Sequence, residues 1–345
     1  MVVVGEHETM STLDQNIDCQ RPHLLAGQVQ TMDPAEDNQV FDLLYEYETV
    51  QLNQGAFSRH VQFAGTERSA LYVEEYGARS HNLGSLRGDR LGICLPLVET
   101  DSLWWGRTIS RGVMPFSHSG KTIHATYDPG QRHVVMILDR QWCVEELGRG
   151  VVGQALDVEN IFDSCRSSFL RTNPLQIQRW SQRLCRLLAR TITRPENVPK
   201  RQFENELLTA VRSLLEPAEV TQLTDSRSRQ VVERALAYAD VFQSKSVTVS
   251  DLCTDVNVSR RTLEVAFQTI AGKSPLQFLT HRRLSRAYID LKRAKNESTH
   301  VTEIAFAHGF TELGRFANRY QKMFGELPSE TLRQYSLQQR QTIQI

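Results

Sequence analysis

The stretch VSRRTLEVAFQTIAGKSP, Val258 to Pro275, has the apolar spacing of a short amphipathic helix and opens it with two adjacent arginines. About fifty residues later FTELGRFANRYQKMFGELP, Phe310 to Pro328, repeats its skeleton: a capping hydroxyl, an apolar residue, a large aromatic one turn on, Gly, then Pro. Aligned over their lead-in segments, Leu252 falls on Ile304, Cys253 on Ala305, Asn257 on Gly309 and Val258 on Phe310. With one inserted residue, Leu263 then falls on Phe316, Phe267 on Tyr320, Gly272 on Gly325 and Pro275 on Pro328. Two copies are too few for a solenoid.

Each copy reads as helix, tight turn, helix. In the first, Leu252, Cys253 and Val256 form an apolar face, and Asn257 suits a left-handed turn. Ser259 suits the N-cap of the next helix, whose Leu263, Ala266, Phe267 and Ile270 point inward. Arg260, Arg261, Glu264 and Gln268 then face out. In the second copy Gly309 makes the turn, Thr311 caps, and Leu313, Phe316, Ala317 and Tyr320 are the inward positions. Glu312, Arg315, Asn318, Arg319 and Lys322 form its polar set.

A helix lying in the DNA major groove must offer donors such as Arg, Asn and Gln to base edges from its exposed first turns. Arg260 and Arg261 sit at that end, where the helix dipole disfavours cations by a few tenths of a kcal/mol. A negatively charged partner offsets this cost. A single copy would read equally well as a solvated face on a helical hairpin. Two copies in one basic segment point to DNA.

The 345-residue chain has room for two domains, and 40% hydrophobic with 23% charged residues is ordinary globular composition. No apolar run is long enough for a membrane span, and MVVVGEHETMSTLDQ lacks a basic and apolar leader pattern. The expected location is the cytoplasm. Cys19, Cys94, Cys143, Cys165, Cys185 and Cys253 are scattered without a CxxC pair, so free thiols are expected rather than disulfides or zinc. The net charge of zero hides an asymmetry: residues 1–226 hold 22 basic and 29 acidic side chains, and residues 227–345 hold 18 and 11. The two parts therefore carry −7 and +7, which suits a phosphate-binding C-terminal part and an acidic remainder.

The expected organisation is multidomain. Residues 1–40 are a disordered or extended N-terminus. Residues 41–156 carry short apolar or alternating runs (SALYVEEYG, DRLGICLPLV, RHVVMILD) between Gly-containing breaks, which predicts a mainly-β, cupin-like barrel for effector sensing. Residues 157–215 switch to helical period, with Leu175, Ile177, Trp180, Leu184, Leu187 and Leu188 on one face and a second stripe from Phe203 to Leu215. Pro174 and Pro199 suit the helix starts, and the stripes suit either core or a coupling and dimer interface. Residues 216–230 are polar and read as a linker. Residues 231–338 form an all-α domain with helix-turn-helix units near 250–271 and 302–325.

Residues 229–335 resemble the DNA-binding domain of the AraC/XylS regulators. The likeness rests on VSRRTLEVAF, GKSPLQFLTHRRLSRA, VTEIAFAHGF and RFANRYQKMFGELPSE. It implies two helix-turn-helix units joined by a long helix, about Pro275 to Lys295, that enter successive major grooves. Double-stranded DNA is the implied partner, with RNA polymerase, a small-molecule effector and a second copy of the chain as further partners of an activator. The chain departs from the family pattern at Tyr320-Gln321-Lys322, where Phe-Lys-Lys is usual, and at Leu313-Gly314-Arg315, where polar residues are common. The first two-thirds, with YETVQLNQGAFSRHV and SLWWGRTISRGVMPF, resemble the sensor half of the ethanolamine-operon regulators within that family.

In the sensor half Trp104 and Trp105 stand beside Arg107 and Arg111, a pattern suited to an anionic or aromatic effector, or to strand packing alone. His60, His81, His118, His124 and His133 lack the HxH and trailing Glu of a cupin metal site, so no metal or cofactor is expected. GxGxxG after a strand, Walker A, HExxH and GxSxG are all absent, which disfavours an enzyme. The sequence reads as a ligand-responsive, sequence-specific transcriptional regulator. The alternative is an architectural or constitutive DNA binder with a degenerate sensor.

Overall fold

The computed structural model describes residues 24–110, 112–148, 168–216, 219–222, 227–243, 245, 247–294 and 299–333. The chain runs through β1 (Leu25–Thr31), α1 (Pro34–Val40), β2 (Tyr45–Gln51), β3 (Arg59–Gly65), β4 (Ser69–Tyr76), β5 (Ser80–Leu86) and β6 (Arg90–Pro96). There follow β7 (Leu103–Trp104), β8 (Arg107–Thr108), β9 (Val113–His118), β10 (Ile123–Tyr127), β11 (Arg132–Asp139), α2 (Arg140–Gly148) and β12 (Ser168–Arg171). The helices α3 (Pro174–Thr193) and α4 (Lys200–Leu215) then precede β13 (Glu219–Gln222). The last part is helical: α5 (Arg227–Val241), α6 (Val249–Val256), α7 (Arg260–Ala271), α8 (Pro275–Arg293), α9 (Val301–Ala307) and α10 (Leu313–Phe324).

The strands form two antiparallel sheets. The larger has the order β1-β3-β4-β11-β6-β9-β12-β13, the smaller β2-β5-β10-β7-β8. Both sheets are open among the described residues, so the closed, cupin-like barrel expected from strand spacing is not formed. Two short strands, β7 and β8, end the smaller sheet.

Strand periodicity sorts the layers. In β11, Val134, Met136 and Leu138 pack towards helices α3 and α4, while Val135 and Ile137 pack towards the smaller sheet. Burial on both faces explains why RHVVMILD reads as an unbroken apolar run. Trp180, Leu184, Leu188, Phe203, Leu207 and Val211 cover the outer face of the larger sheet, so this part of the stripe is core. Leu175, expected on the same stripe, lies at the first turn of α3 and is 60% exposed.

Two boundaries differ from expectation. Residues 25–40, read as disordered or extended, form β1 and α1. LAGQVQT pairs in register with β3, and Asp33 caps α1 by accepting from the Ala35 and Glu36 amides, with Pro34 at the first helical position. The stretch read as a linker contains β13, paired with β12, and the first turn of α5. Residues 1–23, 149–167 and Arg111 lie outside the described residues, as do Cys19 and Cys165. Cys94, Cys143, Cys185 and Cys253 are free thiols.

Asn257 closes α6 at φ 57°, ψ 53°, a left-handed conformation that costs residues other than Gly or Asn about 1–2 kcal/mol. Asn257→Ala is expected to lower stability by about 1 kcal/mol and Asn257→Gly to leave it nearly unchanged, read by thermal unfolding of the full chain. A second expectation concerns pH. His81 and His124 are wholly buried with Thr126 and the α5 and α8 side chains Glu233, Arg229 and Arg282 around them, and burial lowers both histidine pKa values below the ordinary 6.5. Their neutral forms stabilise the fold fully above that value. Below it the unfolded chain binds protons that the folded chain refuses, so stability falls as pH drops. Melting temperature measured from pH 7.5 to 5.5 should decline, and the decline should be shallower in His124→Asn.

Candidate nucleic-acid interface and its docking

The first unit is built by local rules. Thr248 and Asp251 form a reciprocal capping box on α6. After Asn257, the Ser259 hydroxyl accepts from the Thr262 amide at 3.2 Å and starts α7. Leu263, Ala266, Phe267 and Ile270 are buried as the period requires. Arg260, Arg261, Glu264 and Gln268 are exposed along one face. Arg260 is tied back to Glu264 at 2.9 Å, while Arg261 has no ion pair among the described residues. The face also holds Val265, 53% exposed and one turn after Arg261, which the sequence reading missed. An apolar side chain there suits contact with a thymine methyl.

The second unit departs from its copy. Gly309 turns the chain at φ 72° as expected. The inserted residue shifts the helix start, so Glu312 rather than Thr311 is the N-cap, and neither caps through its side chain. Phe316, Tyr320 and Met323 are buried, but Leu313, expected inward, is 39% exposed and Ala317 is only half-buried. Glu312, Arg315, Asn318, Arg319 and Lys322 are exposed, with Arg315 on Glu312 at 2.9 Å. A Cβ at Gly314 would meet nothing, so the leading turn of α10 is open ground.

Helix α8 joins the units, started by a Ser274–Gln277 capping box with Pro275 behind it. Its Arg283 lies 5.1 Å over the Phe310 ring. Burial, then the neighbouring Arg319, lowers the pKa of Arg283. Other α8 cations face the β domain. Glu48 of β2 accepts from Arg282 Nε at 3.0 Å and Arg286 Nε at 2.8 Å, and Asp240 of α5 accepts from the same two guanidiniums. Lys292 reaches Asp33, the α1 cap, and Glu36 at 3.2 Å.

The β domain also touches each unit. The Thr126 hydroxyl donates to the Ile270 carbonyl of the first at 3.4 Å. The Gly55 amide and the Gln51 side chain donate to the Met323 carbonyl of the second at 3.1 and 3.3 Å. Val50 and Leu52 complete the apolar core of the first unit.

The sheet that makes these contacts has a second face. Tyr45 and Tyr47 alternate with Glu48 and Val50 on β2 and line a small cavity between the two sheets, with Arg59, Tyr72, Trp104 and Tyr127. Arg59 is buried, pairs with Asp37 at 2.9 Å and with Glu74, and lies 4.3 Å over the Phe41 ring. Burial would raise the Glu74 carboxyl, but Arg59 and His133 outweigh it and bring its pKa to about 2.

Of the expected effector residues, Trp104 lines this cavity. Trp105 is buried beside it at a positive φ of 47° and donates to the Thr122 carbonyl at 2.9 Å. Arg107 is exposed, with its guanidinium 5.9 Å from the Phe169 ring, and does not line the cavity. Arg111 lies outside the described residues. The arginine of the cavity is Arg59, which sequence reasoning passed over. His60 and His118 are half-buried; His81 and His124 are buried and bonded to each other at 3.3 Å, and His133 is buried on Glu74. Among the described residues no cluster of three or more His, Cys, Asp or Glu could hold a metal.

Residues 252–334 match the family described as helix-turn-helix domain. A probable thc operon regulatory protein from Rhodococcus erythropolis is 41% identical over 103 residues, 30% of this chain and 31% of that one. The XylDLEGF operon transcriptional activator 2 of Pseudomonas putida is 32% identical over 100 residues, 29% of this chain and 64% of that one. The crystal structure of a probable AraC family transcriptional regulator from Rhodopseudomonas palustris CGA009 is 35% identical, covering 31% of this chain and 97% of that one at a TM-score of 0.28. The chain thus spans about a third of the first curated relative and under two-thirds of the second. Residues 252–334 thus carry a helix-turn-helix domain, and this C-terminal segment is similar to operon regulators and activators and to a probable AraC family transcriptional regulator.

Proposed function

We propose that the chain is a sequence-specific, DNA-binding transcriptional regulator whose β domain responds to a small-molecule effector. One observation carries this reading: the five-stranded sheet lines a polar, aromatic cavity with one face and bonds to the first DNA-reading unit from the other, while the end of β2 and the loop after it bond to the second. The exposed arginines of α7 and α10 stay outward while the units are docked, so the docked form is competent to meet DNA. The names of the relatives, operon regulator and activator, support an activating role with RNA polymerase as partner. Arg260, Arg261, Glu264 and Gln268 would read one major-groove segment, and Glu312, Arg315, Asn318, Arg319 and Lys322 the next.

Selection of bound sequences from a random duplex pool by the full chain should enrich two half-blocks about one helical turn apart. Failure to enrich any motif would remove the sequence-specific reading. On the selected site, Arg261→Ala should cost about 1–3 kcal/mol and relax one base position, with binding to random DNA little changed. Equal weakening on both would make Arg261 a phosphate contact.

Glu48→Gln should leave Arg282, which is 5% exposed, with Asp240 alone as its carboxylate partner and cost about 1.5–3 kcal/mol of docking. Amide hydrogen exchange in β2 and along α8 should then rise. Unchanged exchange would mean that Glu48 does not hold the domains together.

A further inference from the structure

Two buried donors in the sensor cavity have no acceptor. Arg59 is 3% exposed and Trp104 is 6% exposed, and Arg59 Nε and Trp104 Nε1 have no hydrogen-bond partner among the described residues. An N–H left without a partner in a closed site costs about 1–3 kcal/mol, and buried polar groups are seldom left so. Both side chains line the same cavity. We propose that this cavity binds a small uncharged molecule that carries a hydrogen-bond acceptor on a flat, largely apolar body. The assignment rests on the effector-responsive reading given above and names the class of effector.

Charge selects against the alternatives. The remaining nitrogens of Arg59 are taken by Asp37, Glu74 and the Tyr47 hydroxyl. Two carboxylates therefore face one guanidinium, and Glu74 stays ionised through the neutral range. A carboxylate ligand would add a third anion to this group. An ammonium ligand would meet Arg59 itself, and it would bring donors to a site already short of acceptors. The Glu74 carboxylate has no free role to offer, since Arg59, His133 and the Tyr76 hydroxyl all bond to it. A neutral carbonyl or ether oxygen would satisfy Arg59 Nε and Trp104 Nε1 and disturb no pair.

The walls select the body. Tyr45, Tyr47, Tyr72, Tyr127 and Trp104 surround the space, with Ile123 and Val135 between them. Such walls favour an aromatic ring through edge and face contacts. The cavity measures about 40 Å³, room for a water molecule and little more. A ligand must therefore part the walls. The Tyr45 and Tyr72 hydroxyls, in direct contact, close one side. Tyr45 and Tyr47 belong to β2, whose opposite face holds Glu48 and Val50 on the DNA-reading domain. Entry of the ligand moves the strand that grips α8.

Benzamide, benzoate and benzylamine share one ring and differ in the charge and donor count of the head group. Titrated calorimetrically into the full-length protein, benzamide should bind at least tenfold more tightly than either charged probe. Trp104→Phe keeps a ring and removes one unpaired N–H, so it should abolish that preference. Arg107→Ala, exposed and outside the cavity, should keep it. Arg59→Lys is the more direct change, but Arg59 also anchors Asp37 and Glu74, so Trp104→Phe is the informative variant. Tighter binding of benzoate or benzylamine, no binding of any probe, or full benzamide binding by Trp104→Phe would each overturn the assignment. Benzamide that binds as expected without changing affinity for the selected DNA would keep the site and remove the effector-responsive reading instead. The DNA selection stands or falls separately from both.

Discussion

Glu48 holds two guanidiniums of one helix, and the domain arrangement depends on it. Arg282 and Arg286 lie one turn apart on α8, so a single carboxylate from β2 reaches both. Asp240 approaches the same pair from α5. An ion cluster of this kind contributes little net stability, because desolvation consumes much of the attraction. Its value is geometric. It fixes the strand register against the helix, and α8 is the rod that sets the distance between the two reading units. Lys292 on Asp33 repeats the contact two turns further along.

The two units are not equivalent readers. The first presents Arg261, Val265 and Gln268 from a helix whose start is capped by a serine hydroxyl. The second starts without a side-chain cap, shows Leu313 and Gly314 in its first turn, and carries its cations further along. Close approach of the α10 backbone to DNA is open at Gly314, where no side chain stands in the way. Arg319 lies near the half-buried Arg283, and the two guanidiniums repel. A phosphate beside them would relieve that repulsion, which suits Arg319 to a backbone contact at the edge of the segment that the second unit would read.

The helical third was legible in the sequence because its signals are local. Capping residues, the left-handed turn at Asn257 and a period near 3.6 all act within a dozen residues, and two copies checked each other. Leu313 and Thr311 failed where the inserted residue broke that correspondence. The β domain was less legible because its pairings are long-range. Strand spacing could not say whether the sheet closes, and β11, buried on both faces, loses the alternation that marks an exposed edge. The cavity is the least legible part. Arg59, Glu74 and Trp104 come from three strands, and nothing near Arg59 in SRHVQF announces that Asp37 and Glu74 converge on it. In the Trp-Trp-Gly-Arg run Trp104 lines the cavity, whereas Arg107, its partner across the turn between β7 and β8, is exposed near the Phe169 ring, a difference that residue spacing does not reveal.

The balanced charge of the chain follows from the same arrangement. The acidic excess of the first 226 residues supplies Asp33, Glu36 and Glu48, which pair with Lys292, Arg282 and Arg286 of α8 beside the Asp240 that the basic third provides itself. Arg261, Arg315 and Lys322 on α7 and α10 stay exposed, as do Arg227, Arg234, Lys245, Arg293 and Arg333 elsewhere in the basic third. The acidic domain thus masks Arg282, Arg286 and Lys292 of the basic part. Nonspecific attraction to DNA scales with the number of phosphates neutralised, so masking these three cations lowers it while α7 and α10 keep theirs. An event in the cavity that loosened β2 would uncover Arg282, Arg286 and Lys292 together. On the proposed function, effector response and background DNA affinity are linked through the same three side chains.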